Sequence, residues 1–351
     1  MMDLVSAYAN GVSELTRFSH AEEQPPLVVD VIVNPHAGFF KSQAVVSRQI
    51  RELEKKLSDL RERAPRRKVE INRVHYTEHM GHARLITEDL LDAESTTDSG
   101  CEHLFIGCGG DGTSNEICTA LVHADGAVLD RLKLLRLPLG TGNDVADART
   151  FSEAYDLILG DQHAAKTGAL RVSAAGAPAR YSFNIASIGL DAFIAGLTNR
   201  FKRVIPGDAY KSLVDIGSLF YERKVKPLPM DIVIHGDEGE TRIDALVPSM
   251  VVMGISGGRT YGGHLPVLPR DDNVCIVARM GVWAKIRNKR LFYEGRHGEL
   301  SEVSFHKAGR VDVAYEGSIP MQLDGELVWL TPQDFPLRME LLSPRINVLH
   351  R

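Results

Sequence analysis

The 351-residue chain is long enough for two domains, each burying its own core, and its 44% hydrophobic and 25% charged residues are those of an ordinary folded protein. Its formal charge of -5 argues against a nucleic-acid partner, because binding to a phosphate backbone rests on a clear excess of Lys and Arg. No apolar run approaches the roughly 20 residues that cross a bilayer, and the N-terminus lacks the basic start of a secretory signal, so the expectation is a cytoplasmic protein, which would meet any lipid substrate at a membrane surface.

Residues 1–19 place Leu4, Tyr8, Val12, Leu15 and Phe18 near helical spacing. They predict an amphipathic helix that docks on the protein itself or, alternatively, on a membrane. With the acidic, proline-containing linker that follows, residues 1–24 form a segment ahead of the main fold. From Leu27 the pattern alternates strand and helix: LVVDVIVN, a helix over 42–60, VEINRVHY, a helix over 81–91, then HLFIG. That order predicts an α/β domain over 25–165 with a mainly parallel sheet. From about Leu170 alternating strands separated by Gly and Pro turns predict a mostly antiparallel, β-sandwich-like domain over 166–330. The basic stretches at 61–68 and 285–290 read as solvated faces, with a lipid-contacting patch as the alternative. Cys101, Cys108, Cys118 and Cys275 contain no CxxC pair and read as buried free thiols.

The strongest chemical motif is GCGGDGTSNE at 107–116, between the strand HLFIG and a helix expected to begin near Thr113. Glycines let a backbone approach a ligand closely, and a helix N-terminus offers N–H groups to phosphate. Thr113 and Glu116 also have the spacing of a capping box. Asp111 would repel a phosphate unless a cation lay between them, which favours magnesium or proton chemistry over a purely structural turn. A second loop, LPLGTGNDVA at 137–146, follows the apolar strand KLLRL and again combines glycines, a hydroxyl and an acid. Together the loops form a phosphate site with Asp111 and Asp144 available to a metal. His75, His79 and His82 have a spacing that invites a zinc reading, but His75 lies on the strand side of the expected helix start.

The motifs VIVNPHAG, GGDGTSNE, LPLGTGND, NIASIGLDA, GGRTYGGH and LDGE, in this order, resemble the diacylglycerol kinase catalytic family, which includes bacterial lipid kinases and sphingosine kinases. The resemblance runs from about residue 27 to the C-terminus. It implies an active site in a cleft between the two domains, with residues 331–351 returning to pack on the first. It implies ATP as cofactor, held by Gly109, Gly110, Asp111, Gly112, Thr113, Ser114 and Asn115, by Gly140, Thr141, Gly142, Asn143 and Asp144, and by Asn34 and Thr77. Magnesium would lie with Asp111 and Asp144. Glu326 of LDGE is similar to the family's catalytic acid and would accept the proton of a lipid hydroxyl, with Asp324 and Asp111 as further catalytic acids. A second metal site of bacterial relatives would fall on Asp272 and the carbonyls of Pro269 and Val274.

Two departures stand against this pattern. Asn273 replaces a usual glycine, and Thr167 stands where relatives carry an acid. The implied activity is transfer of the ATP γ-phosphate to a lipid hydroxyl, diacylglycerol first, at a membrane surface and with a homodimer possible. The alternatives are a sphingoid or other lipid acceptor, a soluble acceptor as in NAD kinases, which share the GGDGT loop, and a degenerate nucleotide- or lipid-binding protein.

Overall fold

The computed structural model describes residues 1–19, 25–63, 67–95, 100–140, 142–201, 217, 220–261 and 265–350. The chain forms two compact units, Met1–Thr167 with Pro344–Arg351, and Gly168–Ser343.

The first unit opens with α1 (Met2–Leu15) and then alternates β1 (Leu27–Val33), α2 (Gln43–Arg63), β2 (Val69–Tyr76), α3 (His82–Ser95), β3 (Glu102–Cys108), α4 (Asp111–His123), α5 (Gly126–Arg131), β4 (Leu132–Arg136) and α6 (Phe151–Leu159). Its sheet runs β2-β1-β3-β4, with all neighbours parallel. Period-two alternation in β1 sends Leu27, Val29, Val31 and Val33 into one cluster with residues of α1, α2 and α6. The apolar face of α1 is consumed there: Val5, Tyr8, Ala9, Val12 and Leu15 are fully buried. That agrees with docking on the protein itself, the first of the two sequence readings, and corrects only the division that set the helix apart from the α/β unit. The helix is part of this unit's core.

The second unit holds β5 (Ala164–Ser173, which starts in the first), β6 (Arg180–Ser182), β7 (Ile185–Gly189), α7 (Leu190–Phe201), β8 (Met230–Gly236), β9 (Gly239–Leu246), β10 (Pro248–Gly254), β11 (Arg259–Tyr261), β12 (Leu265–Leu268), β13 (Val274–Ala278), α8 (Val282–Tyr293), β14 (Val303–His306), β15 (Arg310–Tyr315), β16 (Ile319–Leu323), β17 (Glu326–Leu330) and most of β18 (Leu337–Leu349). One antiparallel sheet contains β18, β15, β8 and β9, with β5 and β6 attached. The other runs β14-β13-β10-β7-β16-β17. Ile232, Val311 and Met339 of the first sheet share a buried cluster with Ile188, Val251 and Met321 of the second, so the two faces close on one core as a sandwich.

Residues 331–343 belong to this unit, and only 344–351 lie with the first, unlike the sequence division. The reason is pairing: Leu337–Glu340 ladder against Arg310–Val313, whereas Val348 pairs in parallel with Leu134. The first boundary likewise falls after Thr167, inside β5. No helix among the described residues is long and apolar enough to cross a membrane.

Candidate active site

In an open parallel sheet the carboxyl ends of the strands gather ligand-binding loops. Here four such ends lie side by side. Asn34 follows β1, Thr77 follows β2, Gly109 and Gly110 follow β3, and 137–144 follows β4. Main-chain bonds stitch them: the Asn34 N–H donates to Cys108, the Thr77 N–H to Val33 and the Leu137 N–H to Gly107.

Helix α4 begins at Asp111, earlier than the sequence suggested, with Gly110 as its N-cap and no side-chain cap. The first N–H groups of a helix have no partner within it, so this end presents donors and the positive end of the helix dipole. The expected Thr113–Glu116 capping box is not formed. Thr113 Oγ1 accepts from Asn34 Nδ2 at 3.0 Å, and the Glu116 carboxylate accepts the N–H groups of Gly81 and Ala83 at 2.8 and 3.1 Å. Glu116 therefore caps the neighbouring α3. Ser114 and Asn115 lie in the first turns of α4, with Ser114 buried.

The two glycine loops touch backbone to backbone. A Cβ on Gly140 would stand 2.7 Å from Gly110 Cα, and one on Gly109 would meet the Thr113 side chain at 2.4 Å, so neither position admits a larger residue. Asn143 sits at φ 59° and its Oδ1 accepts the Gly140 N–H at 2.7 Å. Asp111 reaches across: its carboxylate accepts the N–H groups of Asn143 at 3.0 Å and Val145 at 3.3 Å. A point 2.8 Å from Asp111 Oδ2, occupied by a Cβ built on Gly142, is also 3.5 Å from Asp144 Oδ2. The two carboxylates thus converge beside the uncapped helix end. Thr141 lies outside the described residues.

The sequence reading missed the clamp that closes the second loop. The backbone N–H and guanidinium of Arg136 both bind Asp147, at 2.7 and 2.6 Å, and both side chains are nearly inaccessible. Burial alone would lower the Arg136 pKa, but Asp147 outweighs it and holds it above its ordinary value. Opposite charges flanking a glycine loop were the available signal.

In the second unit, Asp324 and Gly325 form the two-residue turn between β16 and β17, at φ 50° and 88°. Asp324, read as a further catalytic acid, accepts from Ser182 Oγ at 2.6 Å and from the N–H groups of Phe183, Asn184 and Ile185 at 2.7, 2.9 and 3.2 Å. It pins the turn onto the start of β7. Glu326 follows as the first residue of β17, exposed and opposite Leu323.

Around the expected second metal position, Pro269 follows β12, Asp272 is half-buried and Val274 enters the ladder between Met253 and His306. Asn273, in the glycine's place, is buried: its amide donates to Gly254 and Ala308 oxygens and accepts the Ala308 N–H. Among the described residues no group of three or more His, Cys, Asp or Glu forms a metal site. His75 binds Asp30 at 2.7 Å, while His79 and His82 stack at 4.8 Å. His264 and its two glycines lie outside the described residues. None of the four cysteines is in a disulfide; Cys108, Cys118 and Cys275 are buried, whereas Cys101 is half-buried, which corrects the expectation of four buried thiols.

The uncapped helix end and the two hard carboxylate ligands fit a triphosphate with magnesium, whose remaining ligands would come from phosphate and water.

Residues 28–170 match the diacylglycerol kinase catalytic domain. The chain is 36% identical over 244 residues to a "Probable lipid kinase YegS-like" of Xanthomonas oryzae pv. oryzae, covering 64% of this chain and 72% of that one. It is 26% identical over 238 residues to the protein of the same name from Xanthomonas axonopodis pv. citri, again 64% and 72%. A solved diacylglycerol kinase from Bacillus anthracis shares the fold at TM-score 0.56 and 17% identity, over 94% of this chain and 98% of that one. The chain belongs to the lipid kinase family built on the diacylglycerol kinase catalytic domain, with the YegS-like kinases among its relatives.

Proposed function

We propose that the protein transfers the γ-phosphate of ATP, with magnesium, to the hydroxyl of a lipid, and that diacylglycerol is the acceptor and phosphatidic acid the product. The observation that carries this reading is the uncapped N-terminus of α4 with the Asp111 and Asp144 carboxylates converging beside it. The family's names for its members supply the lipid class.

In this reading the N–H groups from Gly110 to Thr113 and the loop 140–144 hold the phosphates, with Gly109, Ser114, Asn115, Asn34 and Thr77 alongside, the Ser114 N–H itself donating to the Gly110 carbonyl at 3.0 Å. Asp111 and Asp144 hold magnesium, which neutralises charge on the phosphates when bound. Glu326 takes the proton of the attacking hydroxyl, and Asp324 positions it by fixing the turn one residue before it. Asp272 with the Pro269 and Val274 carbonyls is retained as a proposed second cation position.

The test is transfer from radiolabelled ATP to a lipid panel with and without magnesium. Labelled phosphatidic acid formed only with magnesium is the expected result. Transfer to a sphingoid base instead would change the acceptor, and transfer to none of the lipids would overturn the reading.

A further inference from the structure

We propose that the outer face of α8 docks on an anionic lipid surface, with Trp283 and Ile286 entering the headgroup layer and Arg287 meeting lipid phosphates. The inference rests on the lipid kinase reading.

Helix α8 (VWAKIRNKRLFY) carries four basic side chains and no acidic one, and none of its residues is buried. Its inner side is accounted for. Ala284 and Phe292 pack against the cluster of Val252, Cys275 and Val277, and Lys285 Nζ pairs with Glu222 at 2.7 Å. At about 100° per residue, Val282, Trp283, Ile286, Arg290 and Arg287 fall within about 140° of arc on the other side. All five are exposed, Trp283 at 84% and Ile286 at 53%. An indole facing water gains nothing for the fold. At a bilayer interface its apolar ring and polar N–H are both satisfied.

The charge is local, since the chain as a whole is at -5. Arg290 binds Glu294, Arg296 binds Glu294 and Glu299, and Arg279 joins Lys285 on Glu222. Lys289 lies 5.3 Å over the Tyr293 ring. Among the described residues Arg279, Lys285, Arg287, Arg290 and Arg296 are five cations that meet three acids, Glu222, Glu294 and Glu299, in those pairs, so they leave an excess of positive charge that complements anionic headgroups.

Vesicle-binding measurements on the full chain without nucleotide, beside a transfer assay with ATP, test this. Trp329→Phe leaves Trp283 as the single tryptophan. Its emission should shift to the blue with vesicles of phosphatidylcholine and phosphatidylglycerol, and an unshifted spectrum overturns the proposal. Separately, Trp283→Ala with Ile286→Ala should sediment with these vesicles about tenfold more weakly than the parent. Arg287→Glu should lose the preference over pure phosphatidylcholine. Phosphorylation of a short-chain, water-soluble acylglycerol, followed in parallel, should be unchanged in the double variant. Normal transfer with equal vesicle binding by parent and double variant overturns docking alone. Vesicle binding with no lipid phosphorylated overturns the kinase reading alone. If the double variant turns a dimer into a monomer and keeps its vesicle binding, the face is an interface between copies and the proposal falls.

Discussion

The carboxylate of Asp111 accepts the main-chain N–H of Asn143 at 3.0 Å, so the acid of the first glycine loop also fixes the shape of the second. Asp111→Asn therefore removes more than a charge. The amide it introduces turns one donor toward the N–H of Asn143 or Val145. Turnover should be lost and nucleotide affinity should fall as well, which separates this variant from one that loses only a metal ligand. Calorimetric titration with ATP, with and without magnesium, reads the difference.

Glu326 and Asp324 should fail in different ways. Glu326 is exposed on β17, so Glu326→Gln should keep the stability of the parent and lower turnover by at least about a hundredfold, with little change in ATP affinity. Asp324 accepts four hydrogen bonds from Ser182 to Ile185, and Asp324→Ala leaves those donors unmatched. It should cost roughly 2–4 kcal/mol of stability. Steady-state kinetics beside urea unfolding distinguishes the two. Equal kinetic loss with equal destabilisation would contradict the division of roles.

Gly140→Ala places a methyl 2.7 Å from Gly110 Cα, where only backbone can yield. The expected cost is about 1–3 kcal/mol, with a several-fold rise in the ATP dissociation constant because the loops are forced apart. Gly126→Ala, whose Cβ meets nothing within 4 Å, is the control and should bind ATP normally.

Acid should weaken the fold before carboxylates titrate. Burial lowers the pKa of His103, with Arg131 and Arg73 adding to it against Asp30, and burial likewise lowers His297 and His306. Unfolded histidines take up protons near pH 6.5, whereas these hold back until lower pH. The unfolded state then binds more protons, so stability is present above about pH 6.5 and is lost as pH falls below it. Urea midpoints should drop between about pH 7.5 and 5.5, and His103→Asn should flatten that slope.

Tyr8→Ala tests whether α1 is core. Tyr8 is fully buried, packed on Phe39 at 5.0 Å and Phe40 at 5.9 Å between ring centroids. Its loss should cost roughly 3 kcal/mol, read as a lower unfolding midpoint.

The sequence by itself determined the order of elements and the identity of the chemical loops. Period-two alternation in β1, the helical spacing of Tyr8, Val12 and Leu15, and glycines beside acids are local patterns, and local sterics suffice to read them. Only the tertiary structure decided which partner each polar side chain takes. Glu116 has capping-box spacing to Thr113, yet its carboxylate caps α3, because that helix start lies within reach and Thr113 is engaged by Asn34. Asp324 was legible as a motif acid, but that its carboxylate accepts from Ser182 and three main-chain N–H groups more than a hundred residues earlier was not. The C-terminal division moved from 330 to 343 for the same reason, since Leu337 and Met339 find their ladder partners on β15. A hydrogen bond acts over about 3 Å, and which distant residue stands at that distance is fixed by the packing of whole elements rather than by spacing along the chain.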